Sequence, residues 1–148
     1  MSFVIDNLWS YFHIDVLEVQ WIKLQNKFKE LKEFEDLRSL INVYLSDIYI
    51  QAFLTYPDII RSIFQIVKNC KQMSAFLKRI EQGTSIYELE SDMFELKKTY
   101  DSNVEKFIKL LTRMNQVGNS QYLTQLITRL NFNNYYDSMT CDMHFDHL

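Results

Sequence analysis

The apolar positions at the start of the chain follow no single helical face. Phe3, Val4, Ile5, Leu8, Trp9, Tyr11, Phe12, Ile14, Val16, Leu17, Val19, Trp21, Ile22, Leu24, Phe28 and Leu31 occur in a stretch that contains neither Gly nor Pro. On a 3.6-residue repeat they point in widely different directions. A helix that is apolar all round has to be covered all round, since each large apolar side chain gains about 1.5–3 kcal/mol from burial. The pattern predicts a first helix from about Val4 to Leu31, enclosed by neighbours or by neighbours and a partner.

The same phase continues through Phe34, Leu37, Ile41, Tyr44, Ile48 and Ala52. A single helix of that length is far outside the usual range, so a turn is expected in the charged run Lys29–Asp36, with Glu35 or Asp36 at the positive end of a second helix. That helix is expected to stop near Thr55-Tyr56-Pro57, because Pro57 suits the first position of a third. The third shows Ile60, Ile63, Phe64, Val67, Cys70, Met73, Leu77 and Ile80, with Lys78 and Arg79 in its last turn and Gly83 beyond. Ser85-Ile86-Tyr87-Glu88 reads as a capping box opening a fourth, whose stripe is Leu89, Met93, Leu96, Tyr100, Val104, Phe107, Leu111 and Met114. Gly118 closes it. Asn119 or Ser120 caps a short fifth helix with Leu123, Leu126, Ile127 and Leu130 inward. The expected fold is all-α: a bundle of about five mostly antiparallel helices over residues 1–136, followed by a flexible tail over 137–148.

Composition narrows the function. Two Gly and one Pro in 148 residues leave little turn chemistry for a many-stranded sheet, and 47% hydrophobic content argues against disorder. A formal net charge of −3 provides no general field for nucleic acid. Cys70 and Cys141 have no paired-motif spacing, which fits a reducing compartment. Asp6, His13, Asp15 and Glu18 interrupt the apolar start too often for a membrane span, and a signal peptide's basic region and cleavage site are missing.

Catalytic signatures are lacking: no P-loop, dinucleotide fingerprint, nucleophile elbow or HExxH. His13 reads as a structural polar contact rather than an acid or base. Cys141, His144 and His147 have the types and spacing for a soft divalent metal, but a fraying terminus pre-organises nothing, so neither metal nor cofactor is expected. Glu88, Glu90, Asp92 and Glu95 follow the helix dipole and read as a solvated face. The aromatic excess is the remaining signal. Trp9, Tyr11, Phe12 and Trp21 exceed what one side of a helix can bury, and aromatic anchors are typical of protein interfaces.

Two stretches carry a resemblance. Phe3-Val-Ile-Asp-Asn-Leu-Trp-Ser-Tyr-Phe-His-Ile-Asp-Val-Leu-Glu-Val-Gln-Trp21 resembles the "F-V-x-N-L-x-Y-Y-L-x-x-D-V-L-E-x-x-(F/W)" segment of the gamma-tubulin complex components. Leu126-Ile-Thr-Arg-Leu-Asn-Phe-Asn-Asn-Tyr-Tyr136 resembles that family's terminal "L-x-x-R-L-D-(F/Y)-N-x-(F/Y)-Y" motif, with Asn131 where the family has Asp. The similarity spans about residues 2–136, and the Asp15–Gln20 run is most similar to the fourth component, the kind without large insertions. The resemblance implies the last part of a C-terminal domain that binds gamma-tubulin, in complexes that template microtubule nucleation at microtubule-organising centres and spindle poles in the cytoplasm. It implies gamma-tubulin and other complex components as partners, with no nucleic acid or membrane. Phe3, Asn7, Tyr11 and Phe12 near the start, and Arg129, Asn131, Asn133, Tyr135 and Tyr136 near the end, are the contacts it suggests. Arg129 and the tyrosines equally suit a role in tying the terminus to the bundle. A helical scaffold pairing with some other helical protein is the rival reading.

Overall fold

A computed structural model describes residues 1–31, 33–82, 86–118 and 121–132, and among these every regular element is helical. The first helix runs in three parts: α1 (Ser2–Ser10), a π-helical segment (Tyr11–Glu18) and α2 (Val19–Phe28). It is followed by α3 (Phe34–Gln51), α4 (Pro57–Glu81), α5 (Ile86–Gly118) and α6 (Gln121–Leu130). The all-α bundle expected from the pattern is the fold observed.

The π-helical segment accounts for the missing polar side of the first helix. Its backbone bonds span five residues instead of four, so each turn takes in more chain and the side-chain faces slip relative to an α-helix. Before the slip, Val4 and Leu8 are buried, and α1 packs on α6. After it, α2 runs along α3 and buries only Gln20. One continuous rod therefore addresses two partners with two faces. Full enclosure, however, does not occur. Phe3, Trp9, Trp21 and Phe28 are each at least half exposed.

The core lies between α5, α6, α1 and the π segment, with α4 closing one side. Tyr100, Val104, Phe107, Ile108 and Leu111 of α5 meet Leu123, Leu126 and Leu130 of α6 and Val4, Leu8, Tyr11 and Val16 of the first helix. From Leu96 to Met114 the α5 stripe is buried or half-buried as expected; Met93 is exposed, and the Leu89 side chain lies outside the described residues. On α4 the buried row is Ile59, Ile66, Asn69 and Phe76, one position ahead of the expected Ile60, Val67, Cys70 and Leu77. Ile59-Ile60, Ile66-Val67 and Phe76-Leu77 are apolar doublets, so periodicity fits two adjacent rows, and packing against α5 selects the earlier one.

Connections follow local chemistry. The first turn falls where the charged run placed it. Glu33 is extended (φ −121°, ψ 151°), and Glu35 and Asp36 occupy the first turn of α3, where the dipole favours them. Pro57 begins α4, and Lys78 and Arg79 sit in its last turn. Gly83, Ser85 and its capping box, Asn119 and Ser120 lie outside the described residues.

The end of α3 departs from expectation, because the helix stops at Gln51, ahead of the proline signal. The Leu54 N–H donates to the Tyr49 carbonyl (3.0 Å) and the Phe53 N–H to the Ile50 carbonyl (3.1 Å). This is the paired-bond closure that normally requires glycine in the left-handed region. Here Phe53 takes that conformation, with φ 64°. Its ring is fully buried and stacks on Tyr11, with centroids 5.4 Å apart and planes 11° from parallel. The Tyr11 hydroxyl donates to the Gln51 carbonyl at 2.8 Å, occupying one of the acceptors left over at the helix end. Burial and that bond offset the backbone cost.

Candidate functional site

The two segments singled out at the chain ends are neighbours in space. α1 packs on α6, and the Arg129 guanidinium forms an ion pair with the Asp15 carboxylate of the π segment, 114 residues away. Both side chains are only partly exposed, at 35% and 21%. Arg129 also donates to the Gln125 carbonyl of its own helix (3.4 Å). Asn131 continues α6 by one bond, its N–H donating to the Ile127 carbonyl at 2.8 Å. The carboxylate that serves Arg129 is thus Asp15, not a residue at position 131.

The remaining candidate residues divide by exposure. Phe3 is 51% exposed, and Asn7 donates from Nδ2 to the Phe3 carbonyl (2.8 Å), steadying the first turn beneath it. Phe12 is half-buried and meets Phe53 edge-on at 6.1 Å. Tyr11 is wholly buried. That is a correction to its place among the surface contacts: its ring and hydroxyl hold the first helix against the α3–α4 corner, so it positions its neighbours. Asn133, Tyr135, Tyr136, Cys141, His144 and His147 lie outside the described residues.

The larger surface was visible only as an aromatic excess. Trp9, His13, Leu17 and Trp21 recur every fourth position, and all four are exposed. The Trp9 and His13 rings meet at a tilt, with centroids 3.9 Å apart and planes at 38°, so the contact His13 makes is with an aromatic ring at the surface. Beyond Trp21 the surface enters an apolar groove of about 510 Å³ between α2 and α3, lined by Trp21, Leu24, Phe28, Leu37 and Ile41. Neither helix of this hairpin buries an apolar side chain fully. Two helices alone cannot close a core, so the groove is open to solvent. The Gln20 side chain of α2 is 2% exposed, and its Nε2 has no hydrogen-bond partner among the described residues.

No group of His, Cys, Asp and Glu among the described residues is arranged to hold a metal. Cys70 is a free, half-buried thiol whose pKa burial pushes up, with the amino terminus pulling weakly the other way. No described helix is long and apolar enough to cross a membrane.

Comparison with known proteins finds one family along most of the chain. Residues 1–136 match the family model described as gamma tubulin complex component C-terminal. Gamma-tubulin complex component 4 of Arabidopsis thaliana is 30% identical over 141 residues, covering 93% of this chain and 18% of that protein. The Medicago truncatula homolog is 29% identical with the same coverage. Human gamma-tubulin complex component 4 is 25% identical over 136 residues, covering 92% of this chain and 20% of that protein. The chain thus spans about a fifth of the length of these relatives.

Proposed function

This chain belongs to the gamma-tubulin complex component family, and we propose that it binds gamma-tubulin and, with other components of the complex, supports microtubule nucleation at microtubule-organising centres and spindle poles. The mode is binding, not catalysis. A stiff bundle holds an apolar and polar surface against one gamma-tubulin, and assembly with further components sets the spacing of several. The observation that carries this reading is the uncovered aromatic surface of the first helix, where Phe3, Trp9, Trp21 and Phe28 are each at least half exposed. Large apolar groups left in water are a net cost to a monomer and become interface anchors when a partner covers them. In this reading Phe3, Asn7 and Phe12 contact the partner, together with Arg129, Asn131, Asn133, Tyr135 and Tyr136.

The α2–α3 groove favours a second reading, in which a helix of a different protein lies between Trp21, Leu24 and Phe28 on one side and Leu37 and Ile41 on the other. Capture of purified gamma-tubulin on the immobilised 148-residue chain separates the two. Saturable capture that falls at least about tenfold in Trp9→Ala/Trp21→Ala supports the first, in keeping with two lost aromatic anchors. No capture, combined with tight self-association, supports the second and ends the first.

A further inference from the structure

A second surface, unrelated to the aromatic one, lies where α4 and α5 run side by side. Lys106, Lys109 and Arg113 recur on one face of α5 at intervals of three and four residues, and Arg61 faces them from α4 across a groove of about 420 Å³. Ser62, Gln65 and Asn103 supply hydroxyl and amide groups, and half-buried Leu110 supplies the apolar contact. Asp58 is the sole carboxylate among the described residues that line the groove, and it pairs with Arg61 at 3.2 Å. Lys109 pairs with Glu105 on its own helix. Lys106 and Arg113 have no carboxylate partner among the described residues. The groove is thus positive on a molecule whose formal net charge is −3.

We propose that this groove is a docking site for an acidic segment of a partner protein, its carboxylates set against Lys106 and Arg113. Lys106 and Arg113 lie two helical turns apart, about 10 Å along the axis, which suits acidic side chains spaced along one segment, while the amides and Leu110 suit a peptide's main chain and its apolar neighbours. A nucleic-acid backbone is the poorer match. The molecule's overall negative charge works against a long polyanion, which would extend past the groove, whereas a short segment meets only the local field.

The test is fluorescence anisotropy of a labelled Glu/Asp-rich decapeptide with the full 148-residue chain. Saturable binding is expected at low salt, weakening several-fold once the screening length falls to about 8 Å at physiological ionic strength. Lys106→Glu/Arg113→Glu is expected to lose about tenfold or more, as two cation contacts become repulsions. Lys23→Glu/Lys27→Glu changes the net charge equally on exposed positions of α2 and is expected to bind nearly as the parent does. Unchanged helical circular dichroism in both variants excludes misfolding as the cause. Equal losses in the two variants would mean that only total charge matters and would overturn the proposal. So would an oligouridylate of equal charge binding as tightly as the peptide.

Discussion

Substitution at Phe53 separates two opposing contributions at the α3–α4 corner. The ring is fully buried and stacked on Tyr11, while its backbone is left-handed at φ 64°. Phe53→Ala removes the ring but leaves a Cβ in the same backbone, so the usual loss of about 3–5 kcal/mol for emptying a buried aromatic site applies in full. Phe53→Gly removes one carbon more, yet lifts the left-handed penalty of about 1–2 kcal/mol. The extra freedom of an unfolded glycine returns roughly 0.4–1 kcal/mol of that gain. Glycine should therefore finish about 0.5–1 kcal/mol more stable than alanine, despite being smaller. Urea titration followed by circular dichroism gives the difference from the two midpoints if the slopes agree. In a thermal melt alanine should fall about 6–20 °C below the parent, with glycine recovering some 2 °C, using about 2–4 °C per kcal/mol for a chain of this size. Glycine proving no better than alanine would refute the left-handed corner. A loss below about 1 kcal/mol for alanine would refute the sealed ring.

Further outcomes follow from other sites. In a double-mutant cycle of Asp15→Asn and Arg129→Gln, the pair is expected to contribute about 1 kcal/mol, since both side chains are partly exposed, and additive losses would show no coupling. Gln20→Met is expected to hold or raise stability by up to about 1 kcal/mol, because the buried Nε2 has no partner to lose, and a clear drop in the urea midpoint would contradict this. Both tryptophans are at least half exposed, so acrylamide should quench them readily in the free chain and gamma-tubulin should protect them; quenching that is already weak without partner would contradict the exposed surface. Burial raises the Asp101 carboxyl above its ordinary value of 3.8, with Lys97 and the amino terminus pulling it partly back. The folded chain then holds that proton more tightly than the unfolded one. This contribution to stability grows as pH falls from neutral through the folded pKa and levels off below 3.8. Asp101→Asn should flatten that rise in urea midpoints measured from pH 7 to 4 without loss at pH 7.

What was legible in the sequence was mostly short-range. Pro57 at a helix start, Lys78 and Arg79 in a last turn, and the charged run before Phe34 each act through their own few bonds, and each stands where its chemistry put it. The α5 stripe was readable because Leu96, Tyr100 and Val104 each stand alone among polar residues and fix its phase, whereas the doublets of α4 left its register to its partner. Phe53 could not be foreseen, since nothing local marks a phenylalanine for a glycine conformation; tertiary burial imposes it. The π segment is similarly unmarked, and its only trace was an apolar pattern with no polar side. At the candidate site, no pattern marked the first helix and α6 as neighbours in space. The partner of Arg129 sits 114 residues away, beyond any pattern. The aromatic excess pointed to an uncovered surface, but no local pattern separates buried Tyr11 from exposed Trp9.

The hairpin of α2 and α3 is anchored to the remainder chiefly at its base, through Tyr11, Gln51 and Phe53, and its outer turns contain no fully buried apolar side chain. Resistance to opening is therefore graded along the arm. Amides near Lys27 and Leu37 exchange with solvent through local fraying, while those near the Tyr11 clamp wait on events closer to global unfolding. A partner that seats in the arm ends this fraying and gives up part of its binding free energy to do so. Affinity at this surface is consequently adjustable by substitutions at the tip that touch no partner at all.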